Sequence, residues 1–283
     1  MNEIKIYAFA DEASPLIDGQ IRALKRNQLN GLEIRNADGV NVSDITLEKA
    51  REVRKKLEAE GLSVWSVGSP FGKTDVDGDF ETDKERLKRG IEIAHELQTE
   101  NIRMFSFYIP QGKSPAEYKN KVIDRLGQFS DIAAGSGITL CHENEKGIYG
   151  DTPERCLDIF KAIPDIKGVF DPANYVQCGV DTLRAWEMTG YYTKYMHIKD
   201  ALPDGTVVPA GSGVGHVREI IRMYMKQGGT VFTVEPHLAV FSGLAVLERE
   251  GEKSKVSPYV YQSNDEAFDV ACEALKQSLG DLL

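Results

Sequence analysis

Short apolar segments alternate with amphipathic segments along the whole chain. The apolar segments lie near 4–10, 31–35, 63–70, 101–108, 138–144, 168–172, 195–200 and 230–236. Helical patterns follow them after Ser14-Pro15 and near 46–61, 83–98, 115–135, 151–163, 181–188, 217–227 and 265–281. Strict alternation of strand and helix favours a parallel sheet. Eight such repeats predict an α/β protein with a (β/α)₈ TIM barrel.

The length agrees with this interpretation. The 283 residues divide into eight units of about 35, and no linker or low-complexity segment interrupts them, so we predict a single barrel domain over 1–283. A doubly wound sheet is the alternative, but its glycine fingerprint is missing after the first strand. The longest irregular stretch, 238–264, follows strand eight and is predicted to be either a lid or a subunit contact.

Composition excludes several classes of partner. The net charge of −10 argues against a general affinity for nucleic acid or for an anionic membrane surface. Four scattered cysteines form no CxxC pair, and neither a signal peptide nor an apolar run long enough to span a bilayer is present. We therefore expect a cytoplasmic protein with reduced thiols. The oligomeric state stays open, with a homo-oligomer as one option.

Acidic residues and histidines occur where the last four strands end, and active sites of such barrels lie at those ends. They are His142-Glu143-Asn144-Glu145, Asp171, the group His197, Lys199 and Asp200, and Glu235-Pro236-His237. A Glu, an Asp, a His and a second Glu meeting there would suit one Mn²⁺, Mg²⁺, Co²⁺ or Zn²⁺ ion. Barrel rims are polar in any case, so the pattern by itself also fits ordinary rim residues. His142 precedes Glu143 on the strand, so we expect it on the opposite face, packed between barrel and helix.

Four short motifs follow one another along these strands: Glu143-Asn144, Phe170-Asp171-Pro172, His197-Ile198-Lys199-Asp200 and Val234-Glu235-Pro236. Their order and spacing resemble the sugar phosphate isomerase/epimerase family, which has the xylose isomerase-like barrel. The resemblance covers nearly the whole chain and includes Gly31-Leu32-Glu33. It implies that Glu143, Asp171, His197 and Glu235 hold a divalent metal ion.

The resemblance also implies an activity on a sugar, a polyol or a sugar phosphate. A carbon beside a carbonyl loses its proton when a base is near and the enediolate oxygen is stabilised, which a metal ion can do. Glu143 and Glu235 come from distant strands, so they could flank a substrate as catalytic base and acid. The expected function is therefore a metal-dependent isomerase or epimerase, with manganese among the expected metals.

Further residues are candidates for substrate binding. Many members of the family have a histidine where this chain has Glu145, and another where it has Asn174. Those positions contact substrate in the family, so the substrate itself does not carry over. The predicted substrate contacts are Glu33, Arg35, Ser69, Asn174, Lys199, His216 and His237. His216 follows the glycine loop 211–215, whose amides could bind an anion or could simply form a tight turn.

Three other functions compete with this hypothesis. A dehydratase of a keto-inositol would begin with the same proton abstraction and then release water. A metal-dependent endonuclease shares this barrel, but five histidines and the acidic charge argue against a DNA-binding enzyme. A sugar-binding protein without catalysis would not need four metal ligands. We expect a small-molecule partner and neither nucleic acid nor membrane.

Overall fold

Eight parallel strands close into a barrel in the computed structural model, which describes residues 3–241 and 261–280. The strands are β1 (Lys5–Ala8), β2 (Gly31–Ile34), β3 (Ser63–Gly68), β4 (Asn101–Met104), β5 (Thr139–Glu143), β6 (Lys167–Phe170), β7 (Thr193–Ile198) and β8 (Val231–Val234). Each strand pairs with its neighbour in the chain, and β8 pairs with β1 to close the barrel. The predicted (β/α)₈ barrel is confirmed.

Helices surround the barrel on its outer face. They are α1 (Ile17–Arg26), α2 (Leu47–Ala59), α3 (Phe80–Glu96), α4 (Pro115–Ala133), α5 (Pro153–Ala162), α6 (Pro172–Gln177), α7 (Thr182–Thr189), α8 (Val217–Lys226) and α9 (Asn264–Leu279). No helix in the described ranges combines the length and the apolar character needed to cross a membrane.

Two details differ from the sequence pattern. Two helices follow β6, where the pattern predicted one: Asp171 caps the first through its side chain, with Pro172 in the first turn. The apolar run 101–108 forms a strand only to Met104. Phe107 has a φ of 65°, a left-handed conformation that extended strands do not contain.

The predicted irregular stretch 238–264 is described only at its two ends, because residues 242–260 lie outside the described residues. At its beginning, Leu238 and Phe241 are buried. At its other end, Asn264 Nδ2 donates to the carbonyl oxygens of Glu12 and Val240, at 3.0 and 3.2 Å. Both ends of the stretch are therefore fastened beside the carboxyl end of β1.

The inside of the barrel has an apolar lower layer. Tyr7, Cys141, Val169, Tyr195 and Val231 form a buried cluster near the amino-terminal ends of the strands, and Trp65 packs against it. The Trp65 ring lies 5.7 Å from Tyr7 and 5.8 Å from Tyr195, as expected for a core residue. This layer closes the bottom of the barrel, so buried polar groups are left for its upper half.

His142 points out of the barrel, as its place beside Glu143 predicts. Its ring lies 6.0 Å from Phe160 of α5, and its Nε2 is 2.9 Å from Ser106 Oγ. Burial lowers the pKa of His142 to about 3, so its imidazole is neutral. His142 is a packing residue between barrel and helix.

Candidate metal centre

The four ligands expected from the sequence come together at the mouth of the barrel, where the strands end. Donor atoms of Glu143, Asp171, His197 and Glu235 all lie within 4.8 Å of one another, and all four residues are buried. His197 Nδ1 lies 3.0 Å from Glu143 Oε1 and 3.5 Å from Glu235 Oε2. We call these four residues the ligand cluster.

Backbone geometry explains why Asp171 points into the cluster. Its Oδ1 accepts the Asn174 backbone N–H at 3.0 Å, which makes Asp171 the cap of α6. Asn144 forms two reciprocal hydrogen bonds with the Asp171 backbone, both 2.9 Å long. One carboxylate oxygen is therefore held by the helix start, and the other faces the remaining ligands.

Glu143 is held by two side chains from other elements, one on helix α6 and one on strand β4. Asn174 Nδ2 donates to Glu143 Oε1 at 3.1 Å, and Arg103 Nε lies 3.3 Å from Glu143 Oε2. Burial would raise the pKa of this carboxyl, but the charges of His197 and Arg103 lower it to about 2. Glu143 is thus ionised throughout the physiological range.

Glu235 lies between two permanent cations. Lys199 Nζ donates to its Oε2 at 2.6 Å, and Arg35 Nη1 lies 3.5 Å from its Oε1. Burial opposes ionisation here too, yet Lys199, together with His237, holds the pKa of Glu235 well below its usual value. Asp171 differs, because burial and the charges of Glu235 and Glu143 raise its pKa to about 7 against the attraction of Lys199.

Buried carboxylates outnumber the buried permanent cations at the mouth. Six buried carboxylates lie in this contact network of the described residues, whereas the buried permanent cations of the same network number three. The carboxylates are those of Asp11, Glu12, Glu33, Glu143, Asp171 and Glu235, and the cations are Arg35, Arg103 and Lys199. Unpaired buried charge is costly. Asp171 Oδ2, in addition, has the Lys199 ammonium 3.0 Å away but accepts no well-aligned hydrogen bond from any residue that the structure describes. The donor set and its excess negative charge therefore fit one divalent metal ion.

A second group, Glu12, Glu235 and His237, also has donor atoms within 4.8 Å of one another. Arg35 pairs with both carboxylates of this group, with Nη2 3.0 Å from Glu12 Oε1 and Nη1 3.5 Å from Glu235 Oε1. His237 Nδ1 lies 3.1 Å from Glu12 Oε1. A guanidinium therefore already lies between the two carboxylates of this group.

Four of the seven predicted substrate contacts instead hold other protein groups. Both oxygens of Glu33 bond inside the barrel, to His197 and Tyr195. Arg35 contacts Asp11 and Glu12 as well as Glu235. Ser69 Oγ donates to the Arg103 carbonyl oxygen at 2.6 Å. Asn174, as described, holds Glu143. These polar atoms are buried and bonded to other protein groups, and contact between them and a substrate stays a prediction.

The other three predicted contacts lie in different places. Lys199 bridges two cluster carboxylates, with Nζ 3.0 Å from Asp171 Oδ2 and 2.6 Å from Glu235 Oε2. His237 borders the cluster through Glu235, 3.6 Å from its Nδ1. His216 is exposed, and its Nδ1 lies 3.0 Å from Thr182 Oγ1. Lys199 and His237 therefore lie at the ligand cluster, whereas His216 bonds to the surface helix α7.

The glycine loop 211–215 binds an anion that the chain itself supplies. Backbone N–H groups of Gly211, Gly213 and Gly215 donate to the Asp200 carboxylate at 3.0, 3.0 and 2.8 Å. The Ala201 N–H donates a fourth bond at 2.8 Å. A Cβ on Gly213 would lie 2.5 Å from Asp200 Oδ1, so this close approach requires glycine. The loop amides are thus occupied, and Asp200 is not a metal ligand.

Some residues that shape the site were not identified from the sequence. Asp11 and Glu12 follow β1 and anchor Arg35, and Arg103 of β4 lies 3.3 Å from Glu143. The signal for the two acids was present, because they stand at a strand end like the four ligands. Arg103 gave no such signal, since a lone arginine within a strand does not reveal which carboxylate it meets.

Comparison with known proteins agrees with the geometry. The family model described as xylose isomerase-like TIM barrel matches residues 21–249. In a sequence comparison with curated proteins, none matched this chain.

Solved structures share the fold at low sequence identity. The IolI protein, determined with a binding zinc atom, has a TM-score of 0.73 at 16% identity, with 99% of each chain covered. A probable 3-DHS dehydratase, AsbF, involved in petrobactin synthesis in Bacillus anthracis has a TM-score of 0.73 at 14% identity, covering 96% of this chain and 98% of that one. D-psicose 3-epimerase from Clostridium cellulolyticum H10, determined with D-tagatose, has a TM-score of 0.70 at 13% identity, covering 97% and 98%.

The barrel and the strand-end cluster define a class of α/β barrel proteins with a candidate metal centre at the mouth. Within that class, the chain belongs to the xylose isomerase-like TIM barrel family, because the family model covers most of its length. The family resemblance predicted from the four motifs is confirmed.

Proposed function

We propose that this protein is a divalent-metal-dependent isomerase or epimerase of a sugar, a polyol or a sugar phosphate. The observation that carries the proposal is the convergence of three carboxylates and one imidazole within 4.8 Å at the barrel mouth. Neighbours of the same fold include proteins named as sugar epimerases, and one determined with zinc. Mn²⁺, Mg²⁺, Co²⁺ and Zn²⁺ all suit this donor set.

Glu143 and Glu235 are the proposed proton-transfer pair. They come from β5 and from the end of β8, and His197 Nδ1 lies between them, 3.0 and 3.5 Å from their oxygens. Neighbouring cations keep both carboxylates ionised, so either is able to accept a proton from a carbon. A divalent metal ion on the cluster would supply Lewis-acid polarisation of the substrate carbonyl.

The remaining groups orient substrate and proton carriers. Asn174 and Arg103 hold Glu143 from one side of the mouth, and Arg35 holds Glu235 from the other. Lys199 and His237 are the cationic or donor groups placed to bind a substrate oxygen. One carboxylate takes a proton from a carbon of the substrate. The opposite carboxyl group, after taking up a proton from water, delivers that proton to the other face of the carbon.

A dehydratase is the second candidate, because one neighbour of the same fold is named a probable dehydratase. The Lys199 ammonium lies beside the proposed proton-transfer pair, 2.6 Å from Glu235 Oε2. Loss of water requires one group to take a carbon-bound proton and another to protonate the departing hydroxyl. Glu143 and Lys199 would fill these two roles, so the same site serves either reaction.

The decisive experiment incubates the Mn²⁺-loaded protein in deuterated water with ketoses, ketose phosphates and inososes. We expect deuterium incorporation at one substrate carbon and its loss, by at least about 100-fold, in Glu143→Gln and Glu235→Gln. Glu219→Gln on the exposed face of α8 is the matched control and should keep full exchange. Product mass separates the candidates, since a dehydratase product is lighter by one water. Full exchange in both cluster variants would refute the two-carboxylate mechanism.

The absence of nucleic-acid and membrane partners stays a prediction from the acidic charge of −10. The cytoplasmic location stays a prediction from the scattered cysteines and the sequence pattern, and a homo-oligomer stays one option.

A further inference from the structure

Glu33 bonds to the nitrogen of His197 that faces away from the ligand cluster. We infer that Glu33 is a positioning residue that fixes the orientation of His197, so that Nδ1 is the metal-binding atom. This inference rests on the proposed function, because it assigns a role at the proposed metal centre. It also gives Glu33 a task different from the substrate contact expected from the sequence.

The geometry is that of a buried carboxylate–imidazole pair. Glu33 Oε2 lies 2.9 Å from His197 Nε2, and both side chains are completely inaccessible to solvent. The pair joins β2 to β7 across the inside of the barrel, because the two residues lie 164 positions apart in the chain. A substrate at the mouth has no access to Glu33.

Glu33 is itself held from below and from the side. Tyr195 Oη donates to Glu33 Oε1 at 2.8 Å and lies 3.3 Å from Ser66 Oγ. Arg103 Nε is 3.8 Å from the same Glu33 oxygen. The carboxylate therefore has a fixed position and a nearby counter-charge, as an orienting group requires.

The two nitrogens of the His197 imidazole have different partners, and this difference determines which nitrogen carries the proton. A carboxylate beside Nε2 favours a proton on that nitrogen. In the neutral imidazole, the lone pair of Nδ1 is then free to bind a metal ion held together with Glu143 and Glu235. The Phe9 ring contacts the His197 ring edge-on at 5.2 Å and limits its rotation. Removing a carboxylate that hydrogen-bonds to a metal-binding histidine typically weakens metal affinity 10- to 100-fold.

Two variants separate positioning from folding. Glu33→Gln keeps the shape and an acceptor oxygen but removes the negative charge facing Nε2. Tyr195→Phe is the matched control, because it removes only the hydrogen bond to the far oxygen of Glu33. Cobalt(II) is the probe, since its visible absorption reports the coordination geometry, and affinity is measured by titration of the metal-free protein.

We expect Glu33→Gln to bind Co²⁺ about 10- to 100-fold more weakly and with an altered absorption spectrum. Its metal-free melting temperature should stay close to that of the wild type. Tyr195→Phe should weaken Co²⁺ binding by less than about threefold. Unchanged affinity and spectrum in Glu33→Gln, with normal binding by the wild type, would overturn the inference and leave the metal centre intact.

A second measurement needs no variant of Glu33. In Zn²⁺-loaded protein with ¹⁵N-labelled histidine, the His197 signals, assigned with His197→Asn, should show a metal-bound Nδ1 and a protonated Nε2. A metal-bound Nε2 would overturn the inference about Glu33 but leave the proposed function standing. A wild-type protein that binds neither Co²⁺ nor Zn²⁺ would refute the proposed function and the inference with it.

Discussion

Replacing Asp200 with asparagine tests whether the glycine loop is built around this carboxylate. One Asp200 oxygen accepts from Ala201 and Gly215, and the other accepts from Gly211 and Gly213. An asparagine amide has one acceptor oxygen and one donor nitrogen. In either orientation, two backbone N–H groups therefore face an NH₂ group that cannot accept their bonds.

The magnitude follows from those two donors. A buried donor without an acceptor costs about 1–3 kcal/mol, and hydrogen bonds to a charged acceptor lie toward the upper end of that range. Gly211 and Gly213 are partly open to solvent, so water offsets some of the loss. We expect Asp200→Asn to lower the free energy of unfolding by about 2–4 kcal/mol. The melting temperature should fall by roughly 5–10 °C.

Urea denaturation of the metal-free protein, followed by circular dichroism, measures this difference. Asp165→Asn, an exposed substitution of the same chemistry, is the control and should stay within about 0.5 kcal/mol of the wild type. Hydrogen exchange should speed up in residues 200–216 and remain unchanged in β5 and β6. A loss below about 0.5 kcal/mol in Asp200→Asn would refute the idea that the carboxylate organises the loop.

Two further predictions concern the mouth of the barrel. Mn²⁺ at about a hundred times its Kd should stabilise the protein by about 2.7 kcal/mol, seen as a rise in melting temperature, and Asp171→Asn should abolish the rise. Arg35→Met should destabilise the protein by about 3–5 kcal/mol in urea denaturation, because Asp11, Glu12 and Glu235 lose their shared guanidinium in a buried site.

The Mn²⁺ prediction and the Arg35→Met prediction each have a separate control. An equal rise in melting temperature in wild type and Asp171→Asn would show that Mn²⁺ binds outside the ligand cluster. Arg184→Met removes an arginine whose side chain is 67% exposed, and should change stability by less than about 1 kcal/mol. If Arg35→Met were equally mild, the buried network would not depend on that guanidinium.

The barrel and the ligand cluster were predictable because they follow from local patterns and one topological rule. Apolar runs alternating with helical periods indicate parallel strands, and parallel strands of a barrel end at the same face. Glu143, Asp171, His197 and Glu235 were therefore expected together, although up to 92 residues separate them. The family motifs restricted the choice to these four among the many polar rim residues.

The partners of the neighbouring side chains were not predictable in the same way. Glu33 was expected to face substrate, but its carboxylate reaches across the barrel to His197. Arg35 was also expected to contact substrate, but its guanidinium donates to Asp11 and Glu12. A strand pattern shows which face a residue occupies. It does not show which side chain from a distant strand lies within 3 Å of it.

The sequence by itself determined the order of the elements and the set of residues at the mouth, because side-chain alternation and strand direction are local properties. Only the tertiary structure decided which of those residues come together and which neighbouring groups each one contacts. Glycine loop 211–215 is an example, since its amides suit an anion in any context. The fold places Asp200 among them, and a buried carboxylate takes the donors that lie closest.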